Sequence, residues 1–119
     1  DIDWFKSVND THGHDAGDRV LKEMSDILKS MLRTTDSLAR WGGEEFLVLC
    51  TGTNLEGSTV IAQKIKAAIE KNSFSVPSTI TISAGTSEYE SGLSLEDLLI
   101  KADHKLYQAK SQGRNQVVF

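Results

Sequence analysis

Long apolar runs, a pair of cysteines to form a disulfide and an excess of basic charge are all missing from this chain, and proline is nearly so. Its 119 residues include one cysteine and one proline. A lone Cys50 rules out a disulfide framework and is compatible with a reducing compartment; within its apolar run it reads as a small core residue. No stretch approaches membrane-spanning length and no signal peptide is recognisable, so no membrane contact is expected from this segment. Thirteen Lys and Arg stand against 17 Asp and Glu, and the resulting net charge of −4 argues against an electrostatic footprint for DNA or RNA. A small phosphorylated ligand remains open, because a local basic cluster or a metal can meet its phosphates. Repeats and low-complexity segments are absent too, and with so little proline no internal linker is expected. The remainder, 39% hydrophobic and 25% charged, reads as one globular domain over residues 1–119.

What is present converges on Arg40-Trp41-Gly42-Gly43-Glu44-Glu45-Phe46-Leu47-Val48-Leu49-Cys50. This string reads as a strand, a two-glycine turn and a second, strongly apolar strand. The adjacent glycines are expected to supply the positive φ of a tight hairpin. Side chains alternate along extended backbone, so Glu44 and Glu45 point to opposite sides and one can face a cleft. Bare Gly42 and Gly43 let a bulky ligand approach the backbone.

Residues 1–10 fit a strand end turning into a short helix, and their carboxylates with Asn9 suit a divalent cation plus a polar ligand. Asp3 also suits a helix N-terminus, where carboxylates complement the dipole. Thr11 to Asp18 is a Gly-punctuated polar turn, in which His12 and His14 read as turn and packing residues because zinc-type spacing is lacking. A helix is expected from about Ala16 to Arg33, with Val20, Leu21, Met24, Ile27, Leu28, Met31 and Leu32 on one face. Another, capped by Thr53 or Asn54, runs to about Lys71 with a buried stripe of Val60, Ile61, Ala62, Ile65, Ala68 and Ile69. Residues 78–85 alternate as a strand. The last helix starts at Ser94, buries Leu95, Leu98, Leu99, Ala102, Leu106 and Ala109, and stops at Gly113 before a short strand over 115–119. The order implies an α+β sandwich, a mainly antiparallel sheet flanked by helices.

Five strings, in order, cover nearly the whole chain: Asp-Ile-Asp-Trp-Phe-Lys-Ser-Val-Asn-Asp, Gly-His-Asp-Ala-Gly-Asp, Arg33-Thr34-Thr35-Asp36, Gly-Gly-Glu-Glu-Phe, and Ala102-Asp103 through Leu106-Tyr107-Gln108-Ala109-Lys110 to Gly113-Arg114-Asn115. Together they resemble the GGDEF family, the diguanylate cyclases, lacking here the opening helix and most of the first strand. The resemblance implies the palm-like fold of nucleotidyl cyclases and condensation of two GTP into cyclic di-GMP with release of two pyrophosphates. It implies Mg²⁺ or Mn²⁺ held by Asp1, the Ile2 carbonyl and Glu44, with Glu45 as a further ligand or an activator of the attacking hydroxyl. Backbone amides around Trp4, Phe5 and Lys6 would hold phosphates, as would Lys110 and Arg114, beside the open Gly42 and Gly43. Asn9 and Asp18 would recognise guanine. Arg33 and Asp36, with Lys64, would form an inhibitory site for cyclic di-GMP. A transient or regulated homodimer, a cytoplasmic location and an upstream sensory domain are also implied. The alternative use is a non-catalytic module that binds cyclic di-GMP or GTP as a receptor or sensor. A palm acting on nucleic acid is disfavoured by the acidic balance.

Overall fold

Helix α2, His14–Met31, carries the core, and its sequence explains why. Val20, Met24 and Leu28 recur every fourth residue, stack on one face and are at most 5% exposed, while Ile27, Met31 and Leu32 pack on the margin. Each such side chain withdrawn from water is worth about 1.5–3 kcal/mol. The computed structural model describes residues 1–119. Helix α1, Phe5–His12, precedes α2 and contributes Phe5 and Val8 to the same core. The expected eight-residue turn between them contracts to Gly13 alone. Its φ of 90° and ψ of 161° lie where side-chain-bearing residues do not go, so one glycine breaks the helix.

Strands β1, Ser37–Arg40, and β2, Phe46–Leu49, form the antiparallel hairpin, in register from Ser37 opposite Leu49 to Arg40 opposite Phe46. Helix α3, Leu55–Lys71, is capped by Asn54, whose side chain accepts from the Gly57 N–H at 2.9 Å. It buries Ile65 and Ile69 with Ile61 at the edge, but Val60 faces out, 48% exposed, because it lies about 140° around the helix from Ile65 and on the opposite side from Ile69.

The strand expected over 78–85 keeps its alternation, with Ile80 and Ile82 buried, yet little of it forms a ladder. Ile82 bridges Ile2, and only Ala84–Gly85, strand β3, pairs regularly, parallel to β4, Val117–Val118. Helix α4, Leu95–Ser111, starts at Ser94 with a reciprocal capping box to Asp97 and lies across β3 and β4. Only Ala109 of its expected face is fully buried, and Leu95, in the first turn, is exposed. The α+β architecture therefore stands, with the strands divided into an antiparallel hairpin and a short parallel pair. No helix is long and apolar enough to cross a membrane.

Gly85 lets α4 approach β3: a Cβ there would collide with the backbone of Ala102, Lys105 and Leu106. Gly85→Ala is therefore expected to destabilise the fold by about 1–3 kcal/mol in urea unfolding; an unchanged midpoint would show that α4 can lift without cost.

Candidate active site

The run Asp1–Asp3 is gripped from two sides. Ile2 donates its N–H to the Glu44 carbonyl at 3.1 Å, Asp3 donates to Thr81 O at 2.9 Å, and Ser83 donates to Asp1 O at 3.0 Å. The hairpin tip and residues 81–83 are thus fastened to opposite edges of one short segment. Ile2 is 1% exposed, and its carbonyl accepts no hydrogen bond. A buried oxygen without a donor is costly in a folded chain and suited to a hard cation. The Asp1 carboxylate, 6% exposed, meets Lys110 Nζ at 3.0 Å through Oδ2. Asp3, Glu45 and Glu44 all stand within electrostatic reach of the start of this run.

No three acidic, histidine or cysteine side chains converge as a ready metal cluster. Groups that could hold Mg²⁺ or Mn²⁺ here are the Asp1, Glu44 and Glu45 carboxylates and the Ile2 carbonyl, with other positions left to phosphate and water. The Glu45 carboxylate also lies along the loop, where a Cβ on Gly42 would stand 3.2 Å from its Oε2.

The glycines of the tip are used differently from expectation. Neither Gly42 nor Gly43 has a positive φ. The loop is closed instead by Trp41 N–H donating to Glu45 O at 2.8 Å, and by Arg40, whose Nη2 donates to Gly43 O at 2.8 Å. What glycine provides at 43 is clearance, since a Cβ there would meet nothing. Arg40 has no part in the sequence reading, and its role could only be seen once the loop carbonyls were placed.

Helix α1 begins beside this run with its N-terminal donors bare. The N–H groups of Trp4, Phe5, Lys6 and Ser7 have no acceptor in the chain; the first bond of the helix runs from Val8 N–H to Trp4 O at 3.2 Å. No side chain caps the helix and its first turn holds no acid, so its positive end is left for an external anion. Trp4 sits in left-handed backbone at φ 56°, and the guanidinium of Arg114 stacks 3.9 Å from its ring centroid.

Asp3 serves none of the purposes suggested by its place before a helix. It is 4% exposed, and its carboxylate accepts from Ser83 Oγ at 2.6 Å, Thr81 Oγ1 at 2.8 Å and Asn115 N–H at 3.0 Å. The signal was present in the alternation itself: Thr81 and Ser83 share the strand face opposite Ile80 and Ile82, and their hydroxyls need an acceptor.

Asn9, half-buried on α1, lies against Gly17 of α2, where any Cβ would overlap its amide. Asp18 is the next residue and lines a groove of about 630 Å³ between α2 and the hairpin, with Leu21, Leu38, Arg40 and Phe46 among its walls. Histidines 12 and 14 stay out of the site; His12 Nε2 meets Ser78 Oγ at 3.1 Å.

Arg33 and Asp36 form a separate constellation. The guanidinium donates to both Asp36 oxygens, at 3.0 and 3.3 Å, and also to Thr51 O at 3.0 Å and Thr53 Oγ1 at 2.8 Å. Hydrogen bonding to Arg33 holds the Asp36 carboxyl below its ordinary value, and the same pairing raises Arg33. Lys64, exposed on α3, makes no hydrogen bond or ion pair with either. Cys50 is half-buried rather than in the core, and burial pushes its thiol up.

The pattern of the family described as diguanylate cyclase, GGDEF domain, matches residues 1–116. The chain belongs to the GGDEF family. Diguanylate cyclase A of Treponema denticola is 42% identical over 98% of the chain, and response regulator PleD of Caulobacter vibrioides is 44% identical over 99%. The chain spans 33% of the former and 27% of the latter. Among solved structures, the GGDEF domain of DgcB from Caulobacter crescentus, in complex with c-di-GMP, superposes with a TM-score of 0.95 at 30% identity, covering 99% of this chain and 72% of that one. The active GGEEF domain of a diguanylate cyclase from Vibrio cholerae gives 0.92 at 32% identity, covering 99% and 77%. The α+β fold of this GGDEF chain is thus the cyclase palm.

Two aspartates two residues apart are expected to behave oppositely. Asp3→Ala strips three donors of their acceptor and should cost at least about 2–3 kcal/mol of stability in urea unfolding. Asp1→Ala loses one ion pair whose other member, Lys110, keeps enough exposure to be solvated alone, and should cost clearly less than Asp3→Ala. Equal losses would contradict the division of labour.

Proposed function

We propose that this GGDEF domain is a diguanylate cyclase, condensing two GTP into cyclic di-GMP with release of two pyrophosphates. The observation that carries the reading is the set of groups around Asp1: the buried Ile2 carbonyl and the bare amides of residues 4–7, which have no partner, with Lys110 paired to the Asp1 carboxylate and Arg114 stacked on Trp4. An anion with several charges, accompanied by a divalent cation, satisfies all of them together. The chemical identity of the base follows from Asn9 and Asp18, since an amide and a carboxylate together meet the donor and acceptor edge of guanine and would leave adenine badly paired.

Within this reading the chain's own groups position and neutralise. The amides at the start of α1 take phosphate oxygens, Arg114 offers a fork and Lys110 a point charge. The open backbone at Gly43 admits the nucleotide beside Glu44. A ribose 3′-oxygen attacks an α-phosphorus in line, the bond from that phosphorus to the bridging oxygen breaks, and pyrophosphate departs. A divalent cation held by Asp1, Ile2 and Glu44 supplies activation of the attacking hydroxyl and neutralisation of phosphate charge when bound. Glu45 is a further ligand for that cation or accepts the hydroxyl proton.

One domain binds one GTP, so the product requires two domains facing each other, and segments outside this chain raise their effective concentration. Arg33 and Asp36 form the inhibitory product site, supported by an arginine already fixed by carboxylate, carbonyl and hydroxyl oxygens. The same pair supports the alternative of a cyclic di-GMP receptor, which needs no turnover.

Incubation with GTP and Mg²⁺, scored by chromatography for cyclic di-GMP and pyrophosphate, should yield both from the parent and neither from a Glu44→Ala/Glu45→Ala variant. Absence of product alongside binding of cyclic di-GMP that Arg33→Ala abolishes would make it a receptor instead. Because Asp36 is held below its ordinary value, that binding should persist as pH falls from 7 to about 5 and be lost only below the usual carboxylate range. Weakening already near neutrality would contradict an ionised Asp36.

A further inference from the structure

Trp4 and Arg114 come from opposite ends of the chain, and both adopt left-handed backbone, at φ 56° and 65°. The Asp3 carboxylate holds them together, because it precedes Trp4 and accepts the N–H of Asn115, which follows Arg114, at 3.0 Å. Arg114 is fixed further by its own N–H donating to Ala109 O at 2.9 Å. Its guanidinium then lies 3.9 Å from the Trp4 ring centroid. Trp4 is 65% exposed, so burial of apolar area does not account for an indole at this position.

The two arginines of the candidate sites are held by different means. Arg33 is gripped through its hydrogen-bond donors, which point at Asp36, Thr51 and Thr53. The Arg114 side chain has no hydrogen bond and no ion pair within the chain, and only its face is engaged. A face contact with an indole orients the guanidinium plane while all five N–H donors stay free. A lysine there would neither stack as a plane nor present a fork.

We infer that the Trp4 side chain is a positioning platform that presents the Arg114 guanidinium, donors free, to the terminal phosphates of the nucleotide. This rests on the GTP reading above and goes beyond it. There Trp4 enters only through its backbone amide, and here its indole acts through Arg114.

Calorimetric titration with an imido-linked, non-hydrolysable GTP analogue and Mg²⁺ tests the proposal on the parent, Trp4→Leu, Trp4→Phe, Arg114→Ala and the Trp4→Leu/Arg114→Ala double variant. Trp4→Leu should weaken binding about three- to tenfold, and Trp4→Phe should restore it to within about twofold of the parent. In the Arg114→Ala background, Trp4→Leu should have no further effect. Guanosine monophosphate, which lacks the terminal phosphates, should bind the parent and Trp4→Leu alike. A Trp4→Leu loss that persists without Arg114, is not restored by phenylalanine, or extends equally to the monophosphate would overturn the platform and leave the GTP reading intact. Inorganic tripolyphosphate separates the two ideas further. If it binds with the same dependence on Trp4 and Arg114 while guanine nucleotides do not bind, the GTP reading fails and the platform stands. If the parent binds neither, both fall.

Discussion

One buried carboxylate organises the molecule. Asp3 sits where the first residues of the chain, the strand containing Thr81 and Ser83, and the turn at Asn115 meet, and it accepts a hydrogen bond from each of those three partners. Charge-assisted bonds to a buried acceptor are among the stronger polar contacts in a protein, and a withdrawn partner leaves an unpaired group in the interior. Everything placed at the candidate site inherits its position from this junction: Asp1 and Ile2 before it, the start of α1 after it, and Arg114 across from it. The carboxylates proposed for chemistry are of another kind. Asp1 and Glu44 hold no comparable set of donors, and they stand beside a carbonyl that lacks any.

The division explains what could be read in the sequence. Helices were legible because their signals are local: a stripe at 3.6-residue spacing for α2, an Asn or Ser cap for α3 and α4, a glycine as break or stop. The site residues were legible as a set because their motifs lie in short strings, and the fold brings Asp1 to Lys110 and Trp4 to Arg114 across more than a hundred residues. The role of Asp3 was not legible from its own neighbourhood, where a helix N-terminus was the natural reading, because its three donors arrive from distant segments. Gly42 and Gly43 look like turn formers in any local reading, yet neither takes a positive φ: open space stands at Gly43, the Glu45 carboxylate at Gly42, and Arg40 shapes the loop from the side. Pairing partners of 78–85 were likewise non-local, so alternation gave the inward face of Ile80 and Ile82 but not the shortness of the ladder.

The two arginines are held in two ways. At Arg33 the Nε and Nη2 donors are spent on the protein, which fixes the group and leaves Nη1 for a ligand. At Arg114 the π-face carries the contact, so orientation costs no donor. Proteins that bind phosphates face this conflict generally: the hydrogen bonds that would rigidify the cation are the ones the anion needs.

The hairpin tip reaches the first residues through a single backbone hydrogen bond, from Ile2 N–H to the Glu44 carbonyl. Such a joint is a hinge more than a seam. A ligand clasped by Asp1 on one side and Glu44 on the other would close it, and the free energy of that clasp would be added to the native state alone. At a concentration one hundred times its dissociation constant this amounts to about 2.7 kcal/mol, more than a lone hydrogen bond contributes. The hold of the hairpin on the first residues would then follow the concentration of that ligand.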